Sequence, residues 1–589
     1  MSDLIYSPRA KFYYLYNSRI FGSFNSPQTT DEFDLCFSKN FKKTYPKKKK
    51  MKTIAATMMM TNVLASSNTL MEMSSNVPSG FKWGERAKSE TIELIFAVKQ
   101  QNLDKLTETL MEVSDPDSPS YGHHLSNDEV HELVRPSKED SNTVESFLRE
   151  QGFEPVSLTP NSDFLQIDVT VEEAEILLNA EYRYIEHEET GVSFVRTSQY
   201  SLPEEVADAV DFVSPTVHVP SAPGKLIVSE EAPLLGNSPK HLRELYSVDV
   251  EGKAANNSMA VTAFLNQKYS KGDLHEFWNL YCSGITCGKG DPTLVGDETS
   301  GLGGVESMLD IQSITGVAGN IHAEFWGFSG NSPDSKSNEP FMKWLTQMSN
   351  TSDTDIPKLF STSYGEDEKS WSLDAAKRLN VEFQKAGARG ITLLFASGDS
   401  GANCESGRFE PQWPSSSPYI TAVGGSGGSS TEVAIGLSSG GFSDRWDMPS
   451  YQKDAVSEYL SNAKDLPDQK SSGYNTSGRA YPDIAAQGQD FTVVVDRVPM
   501  PGVAGTSCAS PTASGVIALL NDLRLQNGES TLGFLNPWLY KNMDKWNDIT
   551  SGSSGGGCSG IGGGWPAAKG WDAVTGVGTP NYKNLATVL

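Results

Sequence analysis

Histidine is scarce in this 589-residue chain, with eight in all, and none has the surroundings of a catalytic base. A Ser-His-Asp machine needs an imidazole at a glycine-rich helix start, of the His-Gly-Thr-His kind, to take the serine proton. His123, His124, His131, His187 and His218 fall in an N-terminal region argued below to be removed, and His241, His275 and His322 lie in plain amphipathic or strand contexts. Basic residues are also in deficit. With 48 Lys and Arg against 74 Asp and Glu, the formal charge of -26 argues against nucleic acid as a partner. Long apolar runs are missing: the stretch Ile54 to Leu64 is too short and too polar to span a bilayer. The six cysteines suit an oxidising compartment; Cys282 and Cys287 could close a short loop, and no histidine or further cysteine pair completes a zinc site.

What is present is a serine in a nucleophile's setting. Ser507 sits in Gly505-Thr506-Ser507-Cys508-Ala509-Ser510-Pro511. Ser510 to Leu523 reads as a helix that tolerates Pro511 in its first turn. The positive helix end assists a developing oxyanion. Cys508, beside the serine, reads as a small buried residue. The missing base is supplied by Gly303-Gly304-Val305-Glu306-Ser307-Met308-Leu309-Asp310, in which two carboxylates at i and i+4 share one helix face. A carboxylate with an ordinary pKa of about 4.3 stays partly ionised in acid, where imidazole is protonated and useless as a base.

Further motifs stand in order along the chain: Asn338-Glu339-Pro340-Phe341, Ser363-Tyr364-Gly365, Phe395-Ala396-Ser397-Gly398-Asp399-Ser400-Gly401-Ala402, and Gly478-Arg479-Ala480-Tyr481-Pro482-Asp483. Together with the Glu306 and Ser507 segments they make the chain resemble the sedolisins, the serine-carboxyl peptidases, from roughly residue 80 to the C-terminus. The resemblance implies that Ser507 is the nucleophile, Glu306 the base, Asp310 its orienting partner, and Asp399 the oxyanion-hole acid. A carboxyl donates to an oxyanion only when protonated, a second demand for low pH. Within the family the pattern is closest to members that remove tripeptides from unblocked N-termini. Glu366 stands where those members have an aspartate, and becomes the expected holder of the substrate amino group. A sedolisin-type acid endopeptidase is the alternative, and a non-catalytic secreted binding protein the distant one.

Asp548-Ile549, Ala568-Lys569-Gly570-Trp571-Asp572 and the turn Thr575 to Asn581 would by themselves read as a glycine-rich surface loop. The resemblance makes them one calcium site per subunit, with Asp548 and Asp572 as carboxylate ligands and Ile549, Ala568 and Gly570 as carbonyl donors. It also pairs Cys404 with Cys558. Asn256, Asn350 and Asn475 head Asn-x-Ser/Thr sequons that permit glycosylation.

Residues 1–50 match nothing in the family and read as an upstream extension, with a signal anchor and basic flank as the other reading; 51–67 reads as a secretory signal. Residues 78–218 read as a ferredoxin-like α+β pro-domain, with strands at Thr91 to Val98, Phe164 to Val169, 181–186 and 192–196. The linker 219–235 holds the maturation site near Pro233 to Leu235. From 236 to 589 apolar strands alternate with helices, an α/β doubly wound parallel sheet of subtilisin-like kind. The expectations that follow are a secreted, lysosomal or vacuolar enzyme with peptides as substrates, no stable membrane insertion, and a pro-domain that inhibits until interface carboxylates are protonated in acid.

Overall fold

The computed structural model describes residues 68–589 apart from 75–79, 89, 189–192, 219–226, 229–235, 331–338, 406, 468–472 and 558–562. The extension, the signal segment, the maturation site, Asn338 and Cys558 lie outside the described residues.

The activation region is built on the strand Thr91–Val98, whose last five residues are all buried. It pairs antiparallel with Phe164–Thr170, placing Leu94 opposite Ile167, and with Val210–Ser214, placing Phe96 opposite Val213. Val156–Ser157 adds to the far side of Phe164–Thr170. Helices Leu103–Ser114, Asn127–Leu133 and Lys138–Glu150 fill the first crossover, and Val171–Leu177 and Glu204–Ala209 the second, which is the ferredoxin-like order. Ser126 and Glu129 form a capping box. The strands expected near 181–186 and 192–196 leave this layer. As Tyr182–His187 and Ser193–Thr197 they form a separate antiparallel sheet with Phe81–Arg86. Alternating apolar residues specify a strand and one buried face, not which sheet the strand joins.

The peptidase region has an eight-stranded sheet. Its parallel part runs Thr293–Val295, His322–Gly327, Ser258–Ala263, Leu359–Thr362, Thr392–Ala396, Thr421–Gly427 and Ile484–Gln487. Val433–Ala434 closes it antiparallel to Thr421–Gly427. Successive side chains serve opposite faces. Val261, Phe325, Leu394 and Val423 pack toward helices Val305–Ala318 and Thr506–Gln526, while Ala260, Trp326, Phe395 and Ala422 pack toward Phe341–Ser349 and Leu373–Ala388.

The activation domain sits on this second layer. Ile95, Ala97, Phe164 and Phe212 join its apolar cluster. Arg378, from Leu373–Ala388, is 2 % exposed; it donates to the Val98 and Asp163 carbonyls at 3.1 Å each and lies 4.4 Å over the Phe164 ring. Its guanidinium also pairs with Asp211 at 3.1 Å and Asp163 at 3.2 Å.

Candidate active site

Two helices bring the candidate nucleophile and the candidate base together. Ser507 lies in the first turn of Thr506–Gln526 and is 6 % exposed. Glu306 lies in the first turn of Val305–Ala318, with Asp310 one turn further along the same face. The helices can approach because of Gly515: a Cβ there would lie 2.8 Å from Val317 Cβ and 3.1 Å from the Ala318 nitrogen. The helix expected from Ser510 thus starts four residues earlier, and Pro511 sits inside it. Lacking an N–H, Pro511 leaves the Ser507 carbonyl without its helical donor. The second turn accepts this because the break falls at the helix end.

Glu306 faces Ser507, whose hydroxyl opposes the rise of the Glu306 pKa. Its Oε1 has no partner, nor does Asp310 Oδ2, while Asp310 Oδ1 accepts from Ser363 Oγ at 2.7 Å. Burial pushes the Glu306 carboxyl up against the lowering effect of the Ser507 hydroxyl. Burial and then the charge of Glu306 push Asp310 well above the carboxylate range. The ordinary pKa assumed from sequence therefore does not hold. Both carboxyls thus resist ionisation, and because the charge of Glu306 raises Asp310 they titrate as a unit.

Asp399 follows the buried strand Thr392–Ala396. Its Oδ1 accepts from the Thr506 N–H at 2.6 Å and from Thr506 Oγ1 at 2.8 Å, so the residue preceding the nucleophile fixes its orientation. Gly505 makes room for it, since a Cβ there would meet Asp399 Oδ2 at 2.7 Å. Burial raises this carboxyl, opposed by the two Thr506 donors. Asp399 can thus hold a proton beside Ser507. His275 pairs instead with Asp291 and His322 with Thr293 Oγ1 at 2.9 Å, leaving neither as the serine's base.

Glu366 is 6 % exposed and its Oε1 has no partner. Ser363 and Thr506, which hold Asp310 and Asp399, were quoted from sequence only as parts of motifs; their own roles emerge only in the fold. The calcium residues are drawn into one loop cluster: Asp548 Oδ2 accepts from Gly570 N at 3.0 Å, and Asp572 Oδ2 from Ala568 N at 3.1 Å, with Ile549 buried next to Asp548. Asp572 is fully buried, and burial raises it to about 7 despite the N–H donors of Thr575, Ala568 and Val574. Both Asp572 oxygens accept hydrogen bonds, from Ala568 N, Val574 N, Thr575 N and Thr575 Oγ1, so the fit to a hard cation rests on the all-oxygen donor set of the loop and not on an unpaired charge. Among the described residues no three His, Cys, Asp or Glu side chains converge on a metal-sized site, so a cage here relies on backbone oxygens.

Cys282 and Cys287 form a disulfide. Cys404 is also disulfide-bonded, while its expected partner Cys558 lies outside the described residues. Cys508 is a buried free thiol. Asn256 is exposed. Asn350 Nδ2 donates to the Leu158 carbonyl of the activation domain at 2.7 Å and to the Thr346 carbonyl at 2.8 Å, and a glycan there would displace one of these bonds. Asn475 is half-buried, its Nδ2 donating to the Ser443 carbonyl at 3.0 Å.

Comparison with known proteins agrees with this geometry. Residues 82–219 match the Pro-kumamolisin activation domain, and residues 294–532 match the subtilase family. The class is therefore a subtilisin-fold serine peptidase carrying its own activation domain. Tripeptidyl-peptidase 1 of Canis lupus familiaris is 38 % identical over 543 residues, covering 87 % of this chain and 94 % of that protein, and the Homo sapiens protein matches to the same extent. The chain belongs to the tripeptidyl-peptidase 1 family of serine-carboxyl peptidases, the sedolisins. A solved Pseudomonas sedolisin is 23 % identical, with a TM-score of 0.47, covering 60 % of this chain and 97 % of that chain.

Proposed function

We propose that this chain is the precursor of an acid-active peptidase that removes tripeptides from free N-termini. The observation that carries the reading is the Glu306–Asp310 pair beside Ser507 where a histidine would otherwise act. Ser507 Oγ attacks the scissile carbonyl carbon, its proton passes to the ionised member of the pair through Glu306, and the carbonyl electrons become an oxyanion that accepts a hydrogen bond from protonated Asp399. Collapse breaks the C–N bond, the proton leaves on the amine, and water releases the acyl group by the same path. Asp310, held by Ser363, stores the second proton. Alkaline loss of the Asp399 proton removes the oxyanion donor, which confines activity to acid.

The linker supports self-processing. Ile227 and Val228 pair antiparallel with Ala504 and Val503, the residues leading into Gly505 and Ser507. A backbone ladder at that edge is how an extended substrate is held beside a nucleophile. Calcium, one per subunit, is assigned to Asp548, Asp572 and the carbonyls of Ile549, Ala568 and Gly570, where it would brace the C-terminal loop. Glu366 is assigned the substrate's ammonium group. Disulfides support passage through the secretory pathway to a lysosome, vacuole or the exterior, and no helix among the described residues is long and apolar enough to cross a membrane.

The test is the product ladder from an unblocked peptide digested by matured enzyme at about pH 4.5 and about pH 7, on either side of the histidine range. Successive tripeptides in acid support the reading; internal fragments at equal rate from acetylated peptide establish the endopeptidase instead.

A further inference from the structure

We infer that Glu339 is the second half of the amino-terminal anchor, so that the substrate's ammonium group is bound by a two-carboxyl site, Glu339 with Glu366. The inference rests on the exopeptidase reading above and adds a residue to it.

Glu339 opens the helix-bearing segment that continues as Phe341–Ser349, and Glu366 begins the short strand paired with Gln412 and Trp413. Two acids from separate elements thus lie near enough for the charge of Glu339 to bear on Glu366. Glu339 is 2 % exposed and Glu366 6 %. Glu339 Oε2 and Glu366 Oε1 each lack a hydrogen-bond partner, and no ion pair to either is found among the described residues. The neighbouring acid differs: Asp367 Oδ1 accepts from Asn403 Nδ2 at 2.7 Å and from Gln412 Nε2. Glu410 likewise has Lys369. Glu339, whose carboxyl also takes its own backbone N–H, and Glu366 each keep one buried oxygen without a donor.

Burying two such oxygens with nothing to satisfy them costs about 1–3 kcal/mol per group, more when charged. Such a cost persists where a ligand relieves it. Two carboxyls sharing one proton carry a single negative charge, and the α-amino group, with a pKa near 8, carries a single positive one in acid. One ammonium has three N–H donors and meets both vacant oxygens. A lone buried carboxyl would be neutral in acid and bind it poorly; the second acid keeps one charge in place by taking the proton.

The spacing suits the reaction. Ser363 touches Asp310, and Glu366 follows three residues later, a span of at most about 11 Å, the reach of three extended residues. The groups facing the pair are Asp367 and Tyr364, the latter lying between it and the triad carboxyls Glu306 and Asp310. Burial and mutual repulsion raise Glu366, and burial raises Glu339. None of these neighbours is a cation.

The experiment measures kcat and KM of matured wild type, Glu339→Gln and Glu339→Asp on an unblocked tripeptidyl amide and on the same amide N-acetylated, in acid. Wild type should strongly prefer the free amine. Glu339→Gln should raise KM for the free amine roughly 10- to 100-fold, as for losing a hydrogen bond to a charged group, with kcat and the acetylated rate little changed. Glu339→Asp should fall between. A wild-type free-to-blocked preference in either variant, or an equal KM rise on both substrates, overturns the role of Glu339. If Glu339→Gln fails to mature, the Asp variant decides on the same ratio. Should wild type itself cut both substrates equally, the exopeptidase reading falls first, an outcome distinct from failure of the Glu339 assignment.

Discussion

Replacing His131 by Gln should move activation of the precursor to lower pH. His131 belongs to the activation-domain helix Asn127–Leu133, is 2 % exposed, and its Nδ1 lies 2.8 Å from the Asn127 carbonyl while Nε2 has no partner. Across the interface stand Lys385 and Arg389, with Asp163 on its own side. Burial, then Lys385, lowers its pKa from 6.5 to about 4. A group lowered on docking favours the docked state above its free pKa and opposes it as pH falls through that range. Between pH 7 and 5 such a shift weakens docking by at most about 2 kcal/mol, roughly twentyfold, the limit in which the whole shift arises on docking, taking 1.36 kcal/mol per pH unit. Of the interface carboxylates expected from sequence to do this, Asp353 does: burial works against it, but the Asn127 N–H of the activation domain and Arg389 lower it, so that contact weakens as acid protonates it. Asp163 and Asp211 do not. Burial works against Asp163, but Lys385 and Arg378 hold it far below the usual range, so it stays charged. Asp211 is raised by burial despite Arg378, so acid favours its docked form. The assay is processing of purified precursor on gels from pH 7 to 4, with melting at pH 7 as the folding control. The variant should need pH lower by about one unit for equal processing, the order set by that twentyfold factor. Superimposable profiles for variant and wild type would refute the reasoning.

Other consequences are as direct. Asp399→Asn supplies an amide donor that needs no proton, so a large loss of kcat should accompany an alkaline limb moved upward; an unchanged profile removes Asp399 from the oxyanion site. Asp548→Ala, or chelation during maturation, should give unprocessed or misfolded protein, checked by calcium titration of thermal stability, and a metal-free preparation of normal stability would remove the site. Gly515→Ala forces its new methyl against Val317 and should cost about 1–3 kcal/mol by denaturant unfolding, as overpacking does. It should also lower kcat by parting Ser507 from Glu306; an unchanged kcat would show that the helix approach is not what aligns them.

Much of the scaffold was legible because its signals are local. Thr91–Val98 has the bounds its apolar patterning gives. The start of the Ser507 helix was misread because Pro511 is normal in a first turn, and nothing local says that a break in the second is tolerated. The candidate triad could be named from motif order, but its charge state could not. Only the fold shows that Glu306 and Asp310 are desolvated together. Likewise Arg378 reaches Asp163 across 215 residues of sequence, and Glu339 reaches Glu366 from a different element; pairing of that kind leaves no trace in spacing or periodicity.

The most direct test of the central claim, that a carboxyl pair and not a histidine activates Ser507, is kcat/KM of Glu306→Gln on an unblocked peptide in acid, using protein matured in trans and shown to melt like wild type. An amide cannot take the serine proton, and loss of a triad base removes on the order of 10^4 or more from kcat. The account predicts that loss together with failure of the same variant to process itself. Activity within about tenfold of wild type, a difference of only about 1.4 kcal/mol, would contradict it.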